Sequence, residues 1–483
     1  DKIFFFSPAR FWEILAGSAV ALLLVRRAPW SNHLLSVLGL AAILSAMLLN
    51  DGRSGFPSLH TNLAVIGTTF ILAFGGQGSL VARILSLKPV VGIGLISYSA
   101  YLWHQPVFAF ARMIEMGEPS SITMMALILL SLGLAYMTWS WIERPFRSPQ
   151  NRFYPSGLKI TLLFGLLTVG MFTFGVIGSL TKGLPSRLPE HVQKIASSGP
   201  KDVNPYNASC ELISADIQHP VSGCLDYVID QKIDVIFIGD SHSGSISYEA
   251  QNELKARGIG SYAVSNPGCL GLPGFVGVGQ SKLGRCHQYS IDMIDFAHKQ
   301  EARILVLTSR SPLAYHGYGF DNGEGGLERK NGGNDYISNT TANSGQSDLD
   351  RRVRVLAGIE EQLRALTAEF DVIVIGPIPE AGWNVPAMLA RRALRGSNGV
   401  LSTSYEAYLA RTEELRKTFN AAANVRLHQL PMSEVVCDLQ IQERCVNELN
   451  STSLYSDDDH FSNAGARLLA PKLANWVEHI LEN

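Results

Sequence analysis

The sequence has no Cys-x-x-Cys pair, and all six cysteines fall at or beyond Cys210. The ligand spacing of common structural zinc sites is therefore missing. Charge is sparse: 17% of the 483 residues are Asp, Glu, Lys or Arg, with a net charge of −2. That balance leaves no basic footprint for a nucleic-acid partner. Also missing are an initiator methionine and a leader of the usual secretory layout, since the chain starts at Asp1 and runs almost at once into apolar residues. The expectation is that Asp1 is an internal position of a longer protein.

What is present divides in two. The mean hydropathy of +0.12 averages long apolar runs up to about Leu180 with a remainder that reads as a water-soluble domain. A membrane span needs about 20 mostly apolar residues. Six candidates lie near 8–25, 33–50, 61–77, 89–113, 121–142 and 158–180, the third and fourth interrupted by Gly and polar residues. Arg26 and Arg27 follow the first, Arg83 and Lys88 the third, and Arg144, Arg147 and Arg152 the fifth, whereas the alternate connections are poor in cations. Because Lys and Arg stay on the cytoplasmic side, the part beyond the sixth span is expected outside the cytoplasm.

The cysteines agree with that orientation. Cys210 and Cys224, Cys269 and Cys286, and Cys437 and Cys445 are neighbours along the sequence, as suits disulfides in an oxidising compartment, although six cysteines allow fifteen connectivities.

Polar groups inside apolar spans are costly and often functional. "SPARFWEILAG" puts Arg10 and Glu13 on one face of a helix start, where a helix-bridging ion pair is the plainer explanation. "GLISYSAYLWHQPVF" carries Tyr98, Tyr101 and His104 at roughly helical spacing; anchoring at the membrane interface would equally explain Tyr101 and Trp103. "SPARFWEILAG", "LISYSAYLWHQPV" and "WIERPFR" together resemble the closing spans of the acyltransferase-3 membrane family, over about residues 4 to 148. The resemblance implies transfer of acyl groups, commonly from acetyl-CoA, to extracytoplasmic glycans. The family's first span, with its histidine, has no counterpart in this sequence.

Residues 181–232 carry scattered Pro, Gly and Ser with two cysteines, as expected of a small disulfide-pinned extension. From Ile233 onward strands near 234–239, 261–265, 303–309, 371–377 and 425–430 alternate with helices near 244–257, 288–300, 351–369, 403–421 and 463–481. Such alternation predicts a parallel sheet with helices on both faces. A Gly/Asn-rich insertion beginning "GFDNGEGG" reads as too polar to pack.

"IDVIFIGDSHSGS" places Ser241 directly after the first of these strands, where open α/β sheets bind ligands. A serine hydroxyl is a weak nucleophile without a base. "SLYSDDDHFSNAG" supplies one before the last helix: Asp457 and His460, spaced Asp-x-x-His, let one loop present an imidazole and the carboxylate that fixes its tautomer. Asp-rich turns before helices also serve as caps, and Ser462 or Asn463 suits that role. Asp240 and His242 are read as local hydrogen-bonding residues, and Asp458 and Asp459 as solvated or capping. No metal is assigned: calcium at "DDDH" would lack an EF-hand loop.

These motifs resemble the SGNH hydrolase and esterase family over roughly residues 233 to 480. The resemblance implies a Ser241 nucleophile, the pair Asp457 and His460, and an oxyanion site using the amide of Gly268. The family's asparagine is missing after the third strand, where "LVLTSRSP" offers Arg310 or Ser309 instead. A bond between Cys269 and Cys286 would pin the Gly268 loop.

The expected architecture is a multi-span α-helical membrane domain plus an α/β SGNH-type domain. Its parts are the closing acyltransferase-3 region (1–148), an additional span (149–182), an extension (183–232) and the SGNH-like domain (233–483). Known fusions of this kind O-acetylate bacterial surface polysaccharides. The implied protein sits in the bacterial inner membrane with its tail in the periplasm, draws acyl groups from acetyl-CoA without a bound cofactor, and accepts O-antigen, peptidoglycan or another glycan. A membrane-anchored glycan deacetylase and a non-catalytic binding or transport protein are the alternatives.

Overall fold

The computed structural model describes residues 11–25, 28–49, 59–114, 119–147, 157–181, 183–213, 218–276, 284–328, 348–397 and 399–483. Arg10 and the later part of the Gly/Asn-rich insertion lie outside them. Two units divide the chain, with the boundary between Val176 and Ile177.

The first unit is helical: α1 (Phe11–Leu24), α2 (His33–Leu49), α3 (Leu59–Phe74), α4 (Lys88–Ile114) and α5 (Ser121–Thr138), with α6 (Gly157–Leu180) running across the boundary. Helices α2 and α3 approach closely at Gly39 and Gly67, where a Cβ on either would stand within 2.8 Å of the other's carbonyl oxygen. A π-turn at Trp139–Glu143 follows α5 and brings Glu143 to the Ser99 hydroxyl of α4 at 2.8 Å. Among the described residues, two helices are long and apolar enough to cross a membrane, Ser121–Phe146 and Gly157–Leu180. The first three expected spans form helices of 14, 17 and 16 residues. That is shorter than the 20 or so a perpendicular crossing requires.

The second unit is built on five parallel strands: β1 (Val235–Gly239), β2 (Ser261–Ala263), β3 (Ile304–Thr308), β4 (Asp371–Ile375) and β5 (Leu427–Leu430), in spatial order β2-β1-β3-β4-β5. Both faces of the central strands are covered, which is why β1, β3 and most of β4 read as apolar runs. Alternate residues of β1 enter opposite cores. Val235 and Phe237 pack with α8 (Ser241–Ala256) and α13 (Asn463–Glu482); Ile236 and Ile238 pack with α9 (Arg285–Lys299), α10 (Asp348–Leu366) and α12 (Tyr405–Ala421). All four are fully buried, each worth about 1.5–3 kcal/mol relative to exposure.

Two further helices, α7 (Glu190–Lys201) and α11 (Val385–Leu394), were not expected from the sequence pattern. The extension at 183–232 joins this unit edge-on. Cys210 bonds to Cys224, Leu212 N donates to Ser265 O at 2.9 Å, and Asn463 N donates to Asp202 O at 2.7 Å. The start of the Gly/Asn-rich insertion also packs, contrary to the expectation from its polarity. Phe320 and Asn322 are buried, because Asn322 side-chain bonds to Ala381 O and Gly326 N hold the turn.

Candidate active site

The chain passes from β1 to β2 on one side and then to β3 on the other, so a crevice opens at the carboxyl ends of β1 and β3. Gly239 ends β1 there; a Cβ would lie 1.8 Å from Thr308 O, so only glycine lets the strands meet this closely. Asp240 then caps α8, accepting from His242 N at 2.8 Å through one carboxylate oxygen and from Arg310 N at 2.8 Å through the other. Ser241 thereby becomes the first residue of the helix. Its own N–H is among the helix-start amides that lack an intrahelical acceptor.

His460 comes from the loop before α13. Its Nε2 lies 2.8 Å from Ser241 Oγ, and its Nδ1 is 2.9 Å from Asp457 Oδ2. The same Nδ1 is also 2.9 Å from Asp459 Oδ1. In the neutral imidazole, two carboxylates at Nδ1 fix the proton there, which leaves Nε2 to accept from the serine hydroxyl. Burial works against the charged imidazole, but Asp457 and Asp459 outweigh it and raise the His460 pKa above the ordinary value. Ser462 caps α13 through its hydroxyl, accepting from Gly465 N, so the capping role and the imidazole role fall on different residues of one loop.

The expectation for Asp459 is corrected: it is buried, not solvated, and contacts His242 Nε2 at 3.2 Å as well as His460. Burial would raise its pKa; His242, His460 and Arg310 hold it well below the usual carboxylate range. His242 likewise reaches beyond its own turn, its ring 4.9 Å from that of His460. Asp458 keeps a half-buried position, where burial and the two flanking aspartates push it up to about 6.

Arg310 is placed differently from the oxyanion role expected for it. Its guanidinium bonds Glu380, Glu328 and Asp459, with Nε 2.8 Å from Asp459 Oδ2, and its backbone N–H is taken by Asp240. Three carboxylates hold the fork behind the site, which leaves it no freedom to face a substrate carbonyl. Arg411 continues the network at 2.9 Å from Glu380. Glu380, Glu328 and Arg411 carried no sequence motif. Gly268 adopts φ 73°, in the turn closed by Cys269 N and Asn266 O, and its neighbour Pro267 lines the cleft beside Ser241. The Cys269–Cys286 disulfide ties this turn to α9; Cys437 pairs with Cys445.

The extension contributes Asn204 and Glu211 to the lining of the cleft that also holds Ser241, Asp457 and His460. Burial is the largest influence on the Glu211 carboxyl and raises its pKa. Of the membrane-side candidates, Tyr98 is largely exposed and Glu13 sits on the first turn of α1. His104 bonds through Nδ1 to the Tyr101 carbonyl of its own helix at 2.8 Å.

A strand-end serine on a helix start, facing a histidine held by aspartate at the edge of a parallel sheet, is the arrangement of an SGNH-type α/β domain. Residues 210–475 match the family described as the SGNH domain fused to AT3 domains, and the chain belongs to that family. It is similar to the peptidoglycan O-acetyltransferase OatA of Listeria monocytogenes, 25% identical over 171 residues, covering 33% of this chain and 28% of that protein. The putative peptidoglycan O-acetyltransferase YrhL of Bacillus subtilis is 24% identical over 198 residues, 37% of this chain and 31% of that one. The O-acetyltransferase OatA of Staphylococcus aureus is 33% identical over 115 residues, 20% and 19% respectively. The chain thus matches less than a third of the length of these relatives. A solved structure, the periplasmic domain of a Salmonella ser. Paratyphi A lipopolysaccharide acetyltransferase, aligns with a TM-score of 0.38 at 14% identity, covering 60% of this chain and 97% of that one.

Proposed function

We propose that this chain is the glycan-modifying part of a membrane-bound O-acyltransferase, acting on hydroxyls of an extracytoplasmic bacterial glycan through an acyl-Ser241 intermediate. The observation that carries the reading is the 2.8 Å contact between Ser241 Oγ and His460 Nε2, backed by Asp457 at Nδ1.

In the first half-reaction Ser241 Oγ attacks the donor's acyl carbonyl while His460 Nε2 takes the hydroxyl proton. The bond from that carbonyl to the donor's leaving group breaks, and His460 returns the proton to it. In the second half, a sugar hydroxyl gives its proton to His460 and attacks the acyl-serine carbonyl; Ser241 leaves and recovers the proton. The amides of Ser241 and Gly268 are the donors offered to the oxyanion, with Arg310 acting behind the site. Acetyl is the acyl group and acetyl-CoA its ultimate source.

Membrane attachment is supported by Ser121–Phe146 and Gly157–Leu180 and by the many exposed apolar side chains of the helical unit, such as Leu48, Ile122 and Leu166. A surface that apolar is a liability in water and ordinary in lipid. The loop cations and the three disulfides support a sheet domain on the outer side of the inner membrane. Transfer rather than hydrolysis requires the cleft to orient a sugar better than water. Full-length protein given an acetyl donor and an unacetylated peptidoglycan or O-antigen acceptor should produce acetylated glycan. Net release of free acetate instead would point to a deacetylase, and unchanged acetylation by Ser241→Ala would exclude the acyl-serine.

A further inference from the structure

We propose that Asp459 is a second carboxylate partner of His460, a positioning residue that shares the Nδ1 proton with Asp457 and, with Arg310 as its counter-charge, sets how readily Nε2 takes the serine proton. The inference rests on the acyl-serine reading above and names the group that tunes it.

The two carboxylates are equally near Nδ1, at 2.9 Å, but differ in setting. Asp457 has a side chain 39% exposed and is screened by water; that of Asp459 is 3% exposed. A charge in the less polarisable interior acts more strongly on its neighbour at the same distance. Asp459 is also anchored from two other elements, by His242 of α8 and by Arg310 after β3, so its oxygen cannot swing away from the imidazole. Beyond the His460 ring, the Asp457 carboxylate is held, among the described residues, by backbone amides of its own loop, those of Asp459 and His460.

The wider network explains the use of such an anchor. Asp459, Glu380 and Glu328 face Arg310 and Arg411: three carboxylates against two guanidiniums leave one negative charge. The imidazolium that forms when His460 takes the serine proton cancels it. Without Arg310 the imidazole would meet an uncompensated cluster and hold its proton too tightly to return it. The other charged or titratable groups near His460 include Asp457 and Asp458 on its own loop, His242 on α8 with Asp240 capping that helix, and Glu211 on the extension.

The test is the pH dependence of Ser241 labelling by a serine-directed fluorophosphonate, using the full chain in detergent micelles. In the parent, the acid limb should lie above the ordinary imidazole value of about 6.5. Asp459→Asn should move it down by about one to two pH units, the shift expected on losing one close opposite charge. Asp457→Asn should keep a limb above the ordinary imidazole range, because Asp459 still accepts the Nδ1 proton. A limb unchanged in Asp459→Asn, with activity scaling only with folded protein, would make Asp459 structural and overturn the proposal. So would a limb that falls to the ordinary range in Asp457→Asn, a variant at an exposed site that decides the matter even if Asp459→Asn does not fold. Absence of any labelling of the parent would instead sink the acyl-serine reading, a separate and distinguishable failure.

Discussion

His460 Nε2 stands 2.8 Å from Ser241 Oγ although 219 residues separate them along the chain. The contact needs β1 and the loop before α13 to end at the same edge of the sheet. If the pair works as one unit, Ser241→Ala and His460→Gln should each reduce glycan acylation by about 10³-fold or more, and the double variant should be no worse than either. Base-releasable acetate on surface glycan measures it; additive losses would argue that the two act separately.

Arg310 is the structural keystone behind the site. Its removal in Arg310→Met takes the shared cation from Glu380, Glu328 and Asp459, leaving Arg411 at Glu380 and the two histidines at Asp459. Breaking such a buried pair costs about 3–5 kcal/mol. Urea unfolding followed by near-UV circular dichroism should show the midpoint fall, with Arg310→Lys intermediate because it keeps the charge and loses the fork. An Arg310→Met protein as stable as the parent would show that the network contributes nothing.

The Cys269–Cys286 bond closes a separation of 17 residues next to Gly268. Replacing both with Ser should cost about 3 kcal/mol and also slow Ser241 acylation, since the turn that presents the Gly268 amide loses its tie to α9. Replacing Cys437 and Cys445 should lower stability without slowing acylation. Equal kinetic effects of the two pairs would remove the special role of the Gly268 turn.

Two half-buried histidines set an acid limit. His219, against Tyr262 and Phe296, and His316, bonded to the Arg411 carbonyl, are both lowered by burial to about 4. Each folded-state value lies below its unfolded one, so the unfolded chain binds more protons between about 6.5 and 4. The sheet unit should therefore lose stability as pH falls through that window and be insensitive to these groups above it. Thermal unfolding at stepped pH measures the slope; His219→Gln with His316→Gln should flatten it.

Glu211 tests the role of the extension. Its carboxyl lines the cleft beside Ser241 and is suited to accept from an incoming sugar hydroxyl. Glu211→Gln should lower transfer to glycan about tenfold, the loss of one charge-assisted hydrogen bond. Turnover of a small ester such as p-nitrophenyl acetate, which needs no acceptor, should stay unchanged. Parallel loss of both activities would assign Glu211 to the fold instead.

The amino-acid sequence by itself determined the parallel sheet and the places where chemistry could occur. β1, β3 and β4 are buried on both faces, so hydrophobicity alone marks them as runs bounded by glycine, polar residues or a turn. Ser241 and the Asp457 to His460 spacing are local patterns for the same reason: each needs only one loop to make sense. The short helix α11 escaped notice because its start, "NVPAMLA", reads as a proline-bearing loop until Asn384 is seen capping it. The helical unit is less legible, since runs that look long enough to cross a membrane form helices of 14 to 17 residues in three cases. What only the tertiary structure decided is which charges lie together. Asp459 and Asp458 are adjacent in sequence, yet one meets Arg310, His242 and His460 in the interior and the other does not. Arg310 reads as a candidate oxyanion donor until Glu328 and Glu380, from separate segments, close on it. Burial and Coulombic pairing depend on distances across space, and the order of residues along a chain does not contain them until the sheet has brought its loops to one edge.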